Sequence, residues 1–211
     1  MIKAIFWDND GVLVDTEKLY YKANKETFAN IGIDLTEEVY VEYFLKRSIG
    51  TWHLAEAKGF SQQDISKFRN ERDEIYSKLL MNRNNVIDGV EETLKSLFGK
   101  FKMGIVTSSK KDHFEIIHKN SGLLKYFDFV LTGEDYKNAK PAPDPYLEAL
   151  EISGCKKDEC IIIEDSERGL RAALAAGIKC LVIPTSLTMH SNFTGAEKIL
   201  SDIREVPQNI I

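Results

Sequence analysis

Apolar positions along this chain fall into two regimes. Ile2-Lys3-Ala4-Ile5-Phe6-Trp7 is a short apolar run broken by one lysine, the composition of a strand buried on both faces. From Thr16 to about Asn30, Leu19, Tyr20, Ala23, Thr27 and Phe28 recur at roughly helical spacing, and Gly32 interrupts. Helical patterning continues from Thr36, an N-cap candidate, to Asn82, with Gly50 and Gly59 punctuating two short helices. Ser61-Gln62-Gln63-Asp64 resembles a capping sequence opening a helix through Ile65, Phe68, Ile75 and Leu79. Residues 82–85 form an expected linker. After Asp88-Gly89, helices and strands alternate. The pattern predicts a helix Val90–Leu97, a strand Met103–Thr107, a helix from Lys111 to about Asn120 and a strand Phe127–Leu131. It then predicts a helix capped by Asp144-Pro145 that reaches about Ser153, with Pro145 at its first position. Strand Ile161–Ile163, helix Ser166–Ala176 ended by Gly177, and strand Cys180–Ile183 stopped by Pro184 complete the series.

Strands alternating with helices imply a parallel sheet covered on both faces. The expected architecture is therefore α/β, a Rossmann-like doubly wound core of residues 1–15 and 85–211. Residues 16–84 form an all-α insertion between its first two strands.

Composition narrows the function classes. The 28 Lys+Arg against 33 Asp+Glu give a formal net charge of -5, which argues against a nucleic-acid binder. No apolar run reaches the roughly 20 residues of a membrane helix, and the first run is too short and too soon acidic for a signal peptide. Cys155, Cys160 and Cys180 fit neither a zinc site nor a disulfide framework, so they are expected as reduced thiols of a cytoplasmic protein. Four histidines are scattered; His113 and His118, five apart, are not expected to share a helix face, which argues against a histidine metal site.

Ligands of open α/β sheets bind beyond the carboxyl ends of the strands. There the sequence places Asp8-Asn9-Asp10-Gly11, Thr107-Ser108-Ser109, Lys140-Pro141-Ala142-Pro143-Asp144 and Glu164-Asp165-Ser166. In extended backbone, residues i and i+2 point the same way, so Asp8 and Asp10 pair. With Glu164 and Asp165 they make four neighbouring negative charges, which repel and require compensation. Lys140 offsets one charge, and a divalent cation offsets two. Oxygen donors without His or Cys suit Mg²⁺. A phosphoryl group then fits between the metal, Lys140, the Thr107 hydroxyl and the backbone N–H groups after the first two strands. A carboxylate can attack its phosphorus while the second aspartate moves the proton.

These residues resemble a known family. Asp8-Asn9-Asp10-Gly11-Val12-Leu13-Val14-Asp15-Thr16-Glu17, Thr107 after Ile105-Val106, Lys140-Pro141-Ala142-Pro143-Asp144-Pro145, and Glu164-Asp165-Ser166 with Gly169, Ala172, Ala173 and Ala176-Gly177 occur in matching order over nearly the whole chain. They are similar to a haloacid-dehalogenase-superfamily phosphatase of the β-phosphoglucomutase-like and phosphoglycolate-phosphatase-like branch. The resemblance implies Asp8 as nucleophile, forming an aspartyl-phosphate, and Asp10 as general acid/base. It implies Mg²⁺ held by Asp8, the Asp10 backbone carbonyl and Asp165, with support from Glu164. Thr107, Ser108 and Lys140 would bind the phosphoryl group. The insertion would be a helical cap closing over a small phosphorylated metabolite, with Lys46 and Arg47 as candidate substrate contacts; ordinary solvated charge is the competing reading of both. A monomer is expected.

Two departures and one retained residue bear on rival activities. Tyr20 stands where the mutases of the branch carry histidine, and Gly50 where they carry arginine, which favours hydrolysis over phosphosugar transfer. Asp10 argues against dehalogenation. A receiver-type signalling domain would need its phosphoacceptor on a middle strand, and no suitable aspartate follows one. A non-catalytic binding module would keep the fold, but no motif here is broken.

Overall fold

The computed structural model describes residues 1–81 and 83–210; Asn82, first residue of the expected linker, lies outside the described residues. Strand β1 (Ala4–Trp7) is buried throughout. The inserted helices follow: α1 (Glu17–Asn30), α2 (Glu37–Tyr40), α3 (His53–Ala57) and α4 (Gln62–Leu80). Thr36 caps α2 by accepting from Val39 N–H, and the chain continues from α2 through Lys46 with wider, i to i−5 hydrogen bonding. Ser61 and Asp64 form a reciprocal capping box on α4. Next come α5 (Val90–Leu97), β2 (Lys102–Val106), α6 (Lys111–His118), β3 (Phe129–Leu131), α7 (Asp144–Ser153), β4 (Cys160–Glu164), α8 (Glu167–Ala176), β5 (Lys179–Val182) and β6 (Lys198–Ile199).

Among the described residues one sheet has six strands, all parallel, in the order β3-β2-β1-β4-β5-β6. Ala4, Phe6, Val106, Cys160, Ile162, Cys180 and Val182 pack with Tyr146 and Ala149 of α7 and with Leu170, Ala172, Ala173 and Ala176 of α8. Burying each large apolar side chain there contributes about 1.5–3 kcal/mol. Gly104 pairs with Phe6 on one side and Phe129 on the other. A Cβ at Gly104 would lie 2.2 Å from the Phe129 ring, so the missing side chain lets Phe129 pack edge-on to Phe6 at 6.1 Å.

Chain order reverses between β1 and β4, which places a topological switch point at their carboxyl ends. The chain divides into two compact units, one of Met1–Asp15 with Asn84–Ile211 and one of Thr16–Arg83. In the first unit, Asp15 N–H donates to Asn85 O and Ile87 N–H to Leu13 O, pairing the outgoing and returning segments. In the second, α1 packs on α4, and Tyr20 lies among Phe44, Tyr76 and the Arg72 guanidinium.

Several expected elements differ. Helix α7 begins at Asp144 itself, with Pro143 in the cap position. The Asp144 carboxylate caps nothing because it accepts from Asn138 Nδ2 at 2.8 Å. Strand β3 is shorter than expected because the Asp128 side chain accepts the Met103 N–H in the backbone's place. His113 and His118, five residues apart on α6, are both buried. The three cysteines are free. Among the described residues no helix is long and apolar enough to cross a membrane.

Candidate active site

The loop leaving β1 is wound around one residue. The Asn9 carbonyl accepts N–H groups from Val12, Leu13 and Val14, and Gly11 N–H donates to Val14 O. Gly11 makes this turn at φ +89, and a Cβ there would stand 2.5 Å from Asp165 Oδ2. Glycine thus supplies the backbone conformation and leaves room for the acid. Asp8 is held to β4 by its N–H, which donates to Ile163 O at 2.9 Å.

Lys140 links the acids from its loop before α7. Its Nζ donates to Asp8 Oδ1 at 2.6 Å, Glu164 Oε1 at 2.7 Å and Val106 O at 2.9 Å. Those bonds use all three ammonium protons, and Lys140 bridges two carboxylates. Tyr146 Oη, from α7, also donates to Glu164 Oε1 at 2.6 Å. The other Glu164 oxygen accepts from Asp165 N–H and Ser166 Oγ. Ser166 in turn caps α8 by accepting from Gly169 N–H.

Carboxylate oxygens of Asp8, Glu164 and Asp165, all buried, lie within 4.8 Å of one another. The Asp10 carboxylate is not part of that group. Its Oδ2 accepts from Thr107 Oγ1 at 3.1 Å, Ser109 Oγ at 2.8 Å and Asn9 Nδ2 at 3.3 Å. Thr107, a candidate phosphate ligand, therefore donates to an aspartate here, and its Oγ1 accepts the Ser109 N–H. Ser108 Oγ is buried without a hydrogen-bond partner among the described residues.

Electrostatics follows from burial. Asp8 is raised to about 7, first because it is desolvated and then because Glu164 repels its charge, against the pull of Lys140. Glu164 is also penalised by burial, but the Lys140 charge and hydrogen bond outweigh this and leave it lowered. Burial works against the Lys140 ammonium too, yet Asp8 and Glu164 raise it overall.

Comparison with known proteins identifies the family. The model described as "Haloacid dehalogenase-like hydrolase" matches residues 5–183. The chain belongs to the haloacid dehalogenase-like hydrolases. It is 29% identical to a phosphorylated carbohydrates phosphatase of Thermotoga maritima, over 84% of this chain and 83% of that one. It is 28% identical to a fructose-1-phosphate phosphatase of Escherichia coli, over 83% of this chain and 93% of that one. Among solved structures it superposes on CbbY from Rhodobacter sphaeroides, in complex with phosphate, with a TM-score of 0.82 and 26% identity, covering 98% and 96% of the two chains.

As a member of this family the chain has a haloacid dehalogenase-like α/β core and is a hydrolase. Its first compact unit brings together Asp8, Asp10, Thr107, Ser108, Lys140, Glu164 and Asp165 at the switch point. Lys46 and Arg47 lie in the other unit, where Arg47 pairs with Glu42 at 2.6 Å and lies over the Tyr43 ring, 5.2 Å from its centroid. Sequence reading missed four residues of this site: Asn9, Ser109, Tyr146 and His118. Asn9 and Ser109 carried a signal, their places at the strand ends that also hold Asp8 and Thr107. The others are brought in by pairings 18 residues apart for Tyr146 with Glu164 and 109 for His118 with Asn9.

Proposed function

We propose that this chain is a Mg²⁺-dependent phosphatase that hydrolyses a small phosphate monoester, a sugar phosphate or phosphoglycolate-like compound, through an aspartyl-phosphate on Asp8. The observation that carries this reading is the buried group of Asp8, Glu164 and Asp165 within 4.8 Å, beside an Asp10 held by separate hydroxyl donors. Three buried carboxylates against one lysine leave excess negative charge that a divalent ion neutralises. The oxygen-only donor set fits Mg²⁺, which Asp8 and Asp165 would hold with Glu164 in support. When bound, the ion supplies positive charge that offsets repulsion between a carboxylate and an anionic ester.

Asp8 then attacks phosphorus, forming the acyl-phosphate bond as the ester P–O bond breaks, and Asp10 delivers a proton to the leaving oxygen. In the second half Asp10 takes a proton from water, which attacks the same phosphorus and releases inorganic phosphate and free Asp8. Ser108 Oγ and the backbone N–H groups beside it are the donors proposed for the phosphoryl oxygens. The Thr16–Arg83 unit is proposed as the cap. Phosphatase names among the relatives support hydrolysis, as does Tyr20 in the place of the mutase histidine.

The test is Asp8→Asn, assayed with Mg²⁺ against sugar phosphates, phosphoglycolate, nucleotides and pyrophosphate. Removing the nucleophile is expected to lower turnover by roughly 10⁴-fold or more. A wild-type protein inactive on every monoester would overturn the hydrolase reading, and an active Asp8→Asn variant would overturn the covalent one.

A further inference from the structure

A buried hydrogen-bond line reaches the proton-transferring aspartate from α6. His118 is 4% exposed, and its ring packs on Phe114 at 4.4 Å. Its Nδ1 is 3.0 Å from Ser121 Oγ, and its Nε2 is 2.8 Å from Asn9 Oδ1. Asn9 Nδ2 lies 3.3 Å from Asp10 Oδ2. Asn9 Nδ2 is the donor of that contact and Asp10 Oδ2 its acceptor, which fixes the amide orientation: Oδ1 faces His118 Nε2 and must accept. The imidazole then carries its proton on Nε2, and its bare Nδ1 is an acceptor for the Ser121 hydroxyl at 3.0 Å, the nearer of that hydroxyl's two acceptors, the other being His118 O at 3.3 Å. Burial supports this state by holding the imidazole down to about 4, so the ring stays neutral near pH 7.

Asn9 sits between the two functional aspartates and carries the loop's turn on its carbonyl. Its side chain is fully buried, so whatever locks that amide also sets how the loop presents Asp10. We propose that His118 is a positioning residue that acts through Asn9, its Nε2–H fixing the amide so that Nδ2 orients the Asp10 carboxylate. The proposal rests on the phosphatase reading for the role of Asp10, but the hydrogen-bond line itself does not.

Two measurements on the full chain separate these. Glutamine can place an amide N–H near the position of Nε2, whereas phenylalanine keeps the ring shape without a donor. With the monoester that the wild type hydrolyses best, His118→Phe is expected to lower kcat about ten-fold, the worth of one hydrogen bond, with KM little changed. His118→Gln is expected to restore most of that loss. Combining His118→Phe with Asn9→Ala should cost no more than the worse single change, because both interrupt one line. Equal kcat in the Gln and Phe variants, or additive losses, would overturn the proposal.

The second readout needs neither activity nor a folded variant. Imidazole ¹⁵N spectra of the wild type should show one histidine locked with a protonated Nε2 and a bare Nδ1 near neutral pH. The opposite tautomer or an averaged signal for His118 would overturn the proposal. A wild type that hydrolyses no monoester, yet shows this signature, would remove the phosphatase reading and leave the clamp on Asn9 standing.

Discussion

Glu164 is held by the absence of a side chain as much as by its partners. A Cβ at Gly169 would fall 1.8 Å from Glu164 Cδ and 1.9–2.0 Å from its oxygens. Gly169→Ala must therefore displace the carboxylate from Lys140, Tyr146 and Ser166, leaving buried polar groups unpaired. We expect a loss of about 2–4 kcal/mol in urea-induced unfolding, with a parallel fall in kcat. Wild-type values for both would show that Glu164 has slack that its packing does not suggest. At this scale the sequence made residue types legible but not their partners. Strand-end position singled out Asp8, Asp10, Thr107, Lys140 and Glu164. That Lys140 spends its protons on Asp8, Glu164 and a carbonyl, and that Thr107 turns to Asp10, depends on distances no spacing encodes. His118 was missed for the same reason: five-residue separation on a helix says nothing about which loops cover each side.

Helix α4 shows the corresponding limit for elements. Its start was legible because a capping box is local chemistry. Ser61 Oγ accepts from Asp64 N–H at 3.2 Å, and Asp64 Oδ2 accepts from Ser61 N–H at 3.1 Å. Ser61→Ala should cost about 1 kcal/mol, read as a lower denaturant midpoint for the helical signal. An unchanged midpoint would mean that packing alone sets this helix end. The buried face of α4 was only partly legible. Apolar periodicity pointed to Ile65, Phe68, Ile75 and Leu79, whereas Ile65, Arg72, Tyr76 and Leu80 are the buried residues. Arg72 is inside because Asp73 pairs with it at 2.7 Å and its guanidinium lies over Tyr20 at 4.8 Å, a pairing that hydrophobicity alone does not register. The exposed two-residue strand β6 escaped notice because it offers too few positions for any alternation.

For the whole molecule, the consequence of placing Asp8, Glu164 and Asp165 at one switch point is that folding and the proposed cation binding would be linked. Asp8 is raised to about 7 in the folded chain against an ordinary 3.8. Between those values the folded state holds a proton that the unfolded state has released, so Asp8 contributes a stability that is lost as pH rises toward 7, the reverse of the usual salt-bridged carboxylate. A divalent ion binds the ionised form, so Mg²⁺ affinity should strengthen up to about ten-fold per pH unit below 7 and level off above it. Binding to the folded state alone then adds stability with ligand concentration. Melting curves with a chelator or with millimolar Mg²⁺ should therefore differ little at about pH 5.5 and clearly at about pH 8. Asp8→Asn cannot ionise at this position, and the pH dependence of its Mg²⁺ response should flatten. A Mg²⁺ shift of the same size at both pH values would show that the ion does not bind where Asp8 titrates. No shift at either pH would remove the cation from this site.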